Sequence, residues 1–158
     1  MSNSKQDLIQ HVISALREDL DILRKTALET HKDSTGDNSK AEGKYDTRGL
    51  EASYLAEAQA AKVVQLEESI GKLEQIPTGD FDDSESISQG AMVLVSTDSD
   101  ELSYIILPAG GGMTYEAQGL EFTVITPVSP IGSLLVGKSV GDSINLAQHG
   151  EAFISDLW

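Results

Sequence analysis

Two heptad seams constrain this chain more than any other feature. Ile9, Ile13, Leu16, Leu20, Leu23 and Ala27 follow one another at steps of 4, 3, 4, 3 and 4. Such spacing lays one apolar stripe along a helix and favours a supercoiled helix partner over a sheet. The pattern predicts a helix from about Lys5 to His31, roughly 40 Å long at 1.5 Å per residue. Ser4 is placed to cap it, and Asp7 to meet the positive end of its dipole. The second seam runs through Ala52, Ala56, Gln59, Val63, Leu66, Ile70 and Leu73, and Pro77 stops it. Folded antiparallel, the two helices bring Ala27 near Ala52, giving a slender end at the bend and a greasier base. An ordinary two-helix piece of a bundle is the alternative, but no third helical pattern is available to complete one.

The bend itself reads "KDSTGDNSKAEGKYD", rich in Ser, Gly, Asn and Asp. This is turn or loop chemistry, and it is long beside the roughly 2–8 residues that usually join paired helices. Loops of that length are functional or disordered, and the sequence leaves open whether residues 33–45 are ordered. Its distal part, "KAEGKYDTRGLEAS", alternates opposed charges with almost no apolar anchorage. Basic Lys40, Lys44 and Arg48 and acidic Glu42, Asp46 and Glu51 crowd into it.

After Pro77 the period changes. "TGDFDDSESIS" is a charged linker, followed by the short apolar runs "AMVLVST", "LSYIIL", "LEFTVIT", "SINLA" and "EAFISDLW". Bounded by turn signals and rich in β-branched residues, these runs predict strands. The segment "SPIGSLLVGK" breaks the series as a short helix: Ser129 caps it, Pro130 takes the first helical position, Leu134 and Leu135 face inward, and Gly137 ends it. The predicted architecture is therefore α+β, an N-terminal antiparallel coiled-coil hairpin over residues 1–76, a linker over 77–89, and an antiparallel sheet with one short helix over 90–158.

Charge narrows the partners. The 158-residue chain carries a formal charge of −15, and residues 77–158 hold a single cation, Lys138, against twelve acids. An acidic half of this kind repels a phosphate backbone and suits a basic or metal-bearing protein partner. There is no cysteine, which excludes disulfides and thiolate metal sites. No run approaches the roughly 18 apolar residues of a membrane-spanning helix, and the N-terminus carries no apolar signal segment. A monomeric cytoplasmic protein without membrane contact is expected.

The stretch "SPIGSLLVGKSVGDSINL", Ser129 to Leu146, resembles the C-terminal signature of the Gre-factor family of bacterial transcript-cleavage and elongation factors. The match falls on Ser129, Pro130, Ile131, Leu134, Gly137, Lys138, Gly141 and Asp142. Upstream, "GAMVLVSTDSDELSYIIL" resembles the family's first hairpin, and "EAFISDLW" its last strand. The resemblance implies an FKBP-like C-terminal domain and a hairpin that enters the secondary channel of RNA polymerase, with indirect contact to RNA there. In that family two carboxylates at the hairpin tip help to hold the Mg²⁺ of the polymerase active site, which orients water for cleavage of backtracked RNA. The chain would then need no cofactor of its own and be an accessory factor rather than an enzyme. It further implies docking through Ser129, Pro130, Ile131 and Lys138, with Lys40, Lys44 and Arg48 free to meet acidic polymerase surface or phosphates.

At the tip this sequence departs from the family. Asp46 matches the first acid and is the candidate metal-facing carboxylate. Three residues later the family has Glu and this chain has Gly49, so the second acid falls to Glu42 or Glu51. Capping of the second helix is an alternative role for Asp46, and solubility for its neighbours. The altered tip leaves two further functions open: a regulator that occupies the secondary channel without promoting cleavage, and an interaction module unrelated to transcription. Elsewhere the sequence offers little chemistry. His31 and His149 are isolated, "PAGGG" lacks the Lys-Ser/Thr ending of a phosphate cradle, and no G-x-S-x-G elbow is present. The aromatics are too scattered to argue a prolyl isomerase pocket, since fold alone does not carry function.

Overall fold

The computed structural model describes the backbone of residues 2–35 and 46–158, and side chains at 4–26, 28–29 and 56–158. In chain order the elements are α1 (Ser2–Thr35), α2 (Asp46–Glu74), β1 (Met92–Ser96), β2 (Glu101–Ile106), β3 (Thr114–Ala117), β4 (Leu120–Ile125), α3 (Pro130–Leu135), β5 (Ser143–Leu146) and β6 (Gly150–Leu157). The class is α+β, with N-terminal helices and a C-terminal sheet. Two compact units are present, Ser14–Gly71 and Met1–Ile13 together with Lys72–Trp158. Helix α1 therefore belongs partly to each, and the unit that holds the sheet reaches back across the boundary expected near residue 77.

Within Ser14–Gly71, α1 and α2 lie side by side. Leu16 and Leu20 of α1 and Ile70 of α2 are buried, while Leu23, Val63 and Leu66 of the two seams are half-buried. On one flank Arg24 pairs with Glu67; on another, Asp19, Ile22 and Leu23 face Lys62, Gln65, Leu66 and Ser69 across a shallow groove. Helix α1 is longer than expected at both ends. Since it starts at Ser2, Ser4 lies inside the helix rather than at its cap, and no acid occupies the first turn. Helix α2 tightens at its end, where Gln75 and Ile76 donate to the Lys72 and Leu73 carbonyls, and Pro77 prevents further extension.

The sheet has six strands in the order β3-β4-β2-β1-β6-β5. It is mixed, which corrects the expected antiparallel sheet: β2 and β4 run parallel, with Ser103 opposite Phe122 and Ile106 opposite Ile125. The cause is a strand absent from the sequence reading. β3 forms a hairpin with β4, and that hairpin reverses the chain once more before β4 joins β2. Gln118 and Gly119, at φ of 55° and 78°, form the two-residue turn, with both central φ values positive as type I′ hairpins require.

Alternation along the strands makes two buried faces. One holds Val93, Val95, Tyr104, Ile106, Ile125 and Ile154 and is covered by Leu135 of α3 and by Ile87. Met92, Ile105 and Phe122, at 0% exposure, point the other way. That second face is where the first turns of α1 lie: Val12 meets Gly110, the His11 ring lies tilted against that of Tyr115 with centroids 5.1 Å apart, and Ser4 accepts a hydrogen bond from Gln118. Leu8, Ile9, Val12 and Ile13 are each exposed by 3% or less.

Candidate functional site

Two regions carry the candidate residues. The first is the start of α2. Its backbone is helical from Asp46 onward, so Arg48, Gly49 and Glu51 all lie on the helix, and Gly49 does not interrupt it. At about 100° per residue, positions 46 and 51 of a helix fall roughly 140° apart around its axis. Lys40, Glu42 and Lys44 lie outside the described residues, as do the side chains of Asp46, Arg48, Glu51, Ala27 and Ala52. Of residues 33–45, whose order the sequence leaves open, 36–45 also lie outside them. Among the described residues no group of three or more His, Asp or Glu side chains converges as a metal site.

The second region is α3 and its flanks, where local chemistry is fully visible. Ser129 is the N-cap. Its Oγ accepts from the Gly132 N–H at 3.1 Å and donates to the Thr126 carbonyl at 2.7 Å. Pro130 follows at the first helical position, where its missing N–H costs nothing. The helix closes when Val136 N–H donates to the Gly132 carbonyl, and Gly137 then turns left-handed at φ +86°, the conformation that ends many helices at glycine. The Gly137 N–H donates to Ile87, and Ile87 N–H to the Lys138 carbonyl. Further on, the Asp142 carboxylate accepts from Ser139 N–H at 2.8 Å and holds the next turn.

The partner-binding candidates divide accordingly. Ser129 is committed to its cap, and Ile131 packs against the core cluster. Pro130 and Lys138 are exposed. Leu134, expected to face inward with Leu135, instead remains 38% exposed, because a helix of this length buries only one stripe. Val128, at 91%, and Val136, at 39%, join it. Sequence reasoning missed this exposed apolar group around α3; Val128 beside Pro127 and Ser129 was the available signal.

Elsewhere, burial pushes the Lys5 ammonium below its ordinary range against the opposing pull of Asp80 and Glu85, and burial raises the Tyr104 phenol. Removing the α3 cap is a modest perturbation. Ser129→Ala should lower stability by about 1 kcal/mol, read as a shift of the urea midpoint without a change in its slope.

No protein-family model matches the chain, and no curated protein matches it. Among solved structures it is similar to the GreA factor homolog 1 (Gfh1) protein of Thermus thermophilus, at 22% identity and a TM-score of 0.37, over 92% of this chain and 94% of that one. Thermus aquaticus Gfh1 is 20% identical, with a TM-score of 0.36 over 91% of this chain and 92% of its own. The prokaryotic transcription elongation factor GreA/GreB from Nitrosomonas europaea is 17% identical, with a TM-score of 0.35 over 68% of this chain and 91% of its own. At these identities and TM-scores the likeness carries no argument about activity. No described helix is long and apolar enough to cross a membrane.

Proposed function

We propose that this chain is a Gre-like accessory factor of transcription elongation, which binds RNA polymerase and stimulates cleavage of backtracked RNA. The observation that supports it is the Ser129–Asp142 segment, whose cap, proline start, left-handed Gly137 and Asp142-closed turn use the very residues on which the sequence resemblance rests. In this reading residues 90–158 form an FKBP-like body, and its α3 region, with Pro130, Ile131 and Lys138 beside the exposed Val128, Leu134 and Val136, docks on the polymerase. Residues 1–76 act as a coiled-coil probe of the secondary channel. Asp46 approaches the polymerase Mg²⁺, Glu42 and Glu51 are the candidates for a second carboxylate, and Lys40, Lys44 and Arg48 meet phosphate or acidic protein. The metal, which is the polymerase's, supplies the orientation of water; the chain is an accessory, not the catalyst, and works as a cytoplasmic monomer.

Stalled, backtracked polymerase complexes test this. Wild-type protein should shorten the RNA, and Asp46→Asn should slow that shortening at least about tenfold, the effect of removing one metal-facing charge. Unchanged cleavage with Asp46→Asn removes Asp46 from the mechanism.

A second reading draws on the tip itself. Gly49 stands where the family has its second acid, and positions 46 and 51, five apart on a helical backbone, fall on different faces of α2. A factor with one useful carboxylate occupies the channel and blocks it. Inhibition of elongation without RNA shortening selects this regulator, and failure to co-elute with polymerase selects a module outside transcription.

A further inference from the structure

The stretch between α2 and β1 has the composition of a tether, yet it is fastened along its length. At its start Lys5 Nζ, on α1, donates to the Gly79 carbonyl at 2.9 Å, and Gln6 Nε2 donates to Thr78 Oγ1 at 3.3 Å. In the middle, the Phe81 ring packs against the core cluster and lies 5.1 Å from the Lys5 ammonium. Asp82 N–H donates to Glu85 Oε2 at 2.8 Å, and the Asp82 carboxylate accepts from Ser84 N–H. At its end Ile87 is buried and exchanges two backbone hydrogen bonds with Gly137 and Lys138, at 2.9 and 2.8 Å. One segment thus touches both the first turns of α1 and the turn that ends α3.

Lys5 sets the character of this segment. Its side chain is 0% exposed, which is rare for lysine without a carboxylate in contact. An ammonium has three donors, and among the described residues one of them reaches a hydrogen-bond acceptor. Asp80 and Glu85 act on it through space. The Phe81 face and the Gly79 carbonyl offset part of the desolvation, but a charge held this way opposes closure even as its stem seals it.

We propose that residues 77–89 are a releasable strap, seated on α1 over the Lys5 stem and fastened to the turn after α3 by Ile87, so that opening at one end loosens the other. Phe81 and Ile87 give the strap a defined closed state in the core. The buried ammonium keeps the free energy of opening low, as segments that open below the global unfolding limit require. Phe81, between the ammonium and the core cluster, is the link through which the two ends communicate. If the body docks through the α3 region, as proposed above, a partner gripping Gly137 and Lys138 would be felt at the first turns of α1. The strap itself stands on intramolecular contacts and does not depend on that reading.

Residue-resolved hydrogen exchange on the full chain tests it. Lys5→Met keeps the stem and removes the charge, so the Glu85, Ile87 and Gly137 amides should exchange about tenfold more slowly than in wild type. Phe81→Ala should speed the same amides about tenfold, and with them residues 6–9 of α1, while Met92 and Trp158 in the sheet keep their rates. Exchange in Lys5→Met at or above the wild-type rate overturns the role given to the buried charge. Acceleration in Phe81→Ala that stops short of Ile87, or that Met92 and Trp158 share, overturns the coupling. No polymerase enters these measurements, so their failure and that of the proposed function are separately visible.

Discussion

Gly132→Ala is expected to destabilise the sheet-bearing unit by more than about 3 kcal/mol, among the largest losses available from adding a single methyl group. Gly132 is buried within α3, and an added Cβ would stand 1.8 Å from the Thr126 carbonyl oxygen and 2.8 Å from Ser129 Oγ. The first obstacle is backbone and cannot rotate away. The second is the capping hydroxyl, already held by Thr126 and by the Gly132 N–H. Relief therefore requires α3 to lift from the sheet, which withdraws Leu135 from the core cluster and breaks the Gly137–Ile87 bond. Gly71→Ala is the internal control. An added Cβ there meets nothing within 4 Å, and in a helix interior alanine should gain about 0.5–1 kcal/mol over glycine. Urea unfolding should move the two midpoints in opposite directions. A Gly132→Ala midpoint within error of wild type would show that the close approach to Thr126 is not a constraint on the fold.

That the pivotal glycine of α3 is Gly132, which the sequence reading passed over, shows where sequence reasoning reached and where it stopped. Periodicity found both long helices and five of the six strands, because each carries enough apolar residues in register to declare its face. β3 escaped because "TYEA" is short and mostly exposed, with burial only at Ala117 and in part at Tyr115. Its real marker was the turn at Gln118-Gly119, a weaker relative of the Asn-Gly signal. Missing it concealed the parallel β2–β4 pair, since strand direction follows from the number of reversals. The signature around α3 was legible because Ser129, Pro130 and Gly137 each act through local backbone chemistry. The inward or outward sense of Leu134 was not legible, because that depends on which stripe the sheet covers.

The tip was less legible for a different reason. The acids there are named by type and spacing, but a carboxylate acts only where it points. The backbone carries α2 through Gly49, but helical spacing alone does not say where a carboxylate reaches. Lys5 gave no sequence signal at all. It reads as one more polar residue in the first turn of the predicted helix, and its burial arises from Gly79 and Phe81, more than seventy positions away in the chain.

Val12→Asp is the second expected large effect, and it bears on how α1 is built. Val12 is not a member of the heptad seam that includes Ile9 and Ile13, and a helix whose only duty was a coiled coil would tolerate a charge there. Its 0% exposure and its methyl group against Gly110 show another duty. Leu8, Ile9, Val12 and Ile13 together form a stripe wider than an a/d seam, as a helix lying on a sheet requires. The double pairing at 8/9 and 12/13 was the available sign that these turns belong with the sheet. A carboxylate at position 12 would face the Gly110 turn, with Ile105 and Phe122 on the same face of the sheet, and would be buried in a site built for a methyl group. The expected loss is roughly 3–5 kcal/mol, enough to leave a marginally stable unit largely unfolded. Trp158, the single tryptophan, packs edge-on against Phe122 at 5.8 Å, so its fluorescence reports on this unit. Val64→Asp, at a position 52% exposed on α2, should move the unfolding midpoint by no more than about 0.5 kcal/mol equivalent. Similar midpoints for the two variants would mean that the first turns of α1 are dispensable to the sheet, and the division of α1 between two compact units would lose its energetic basis.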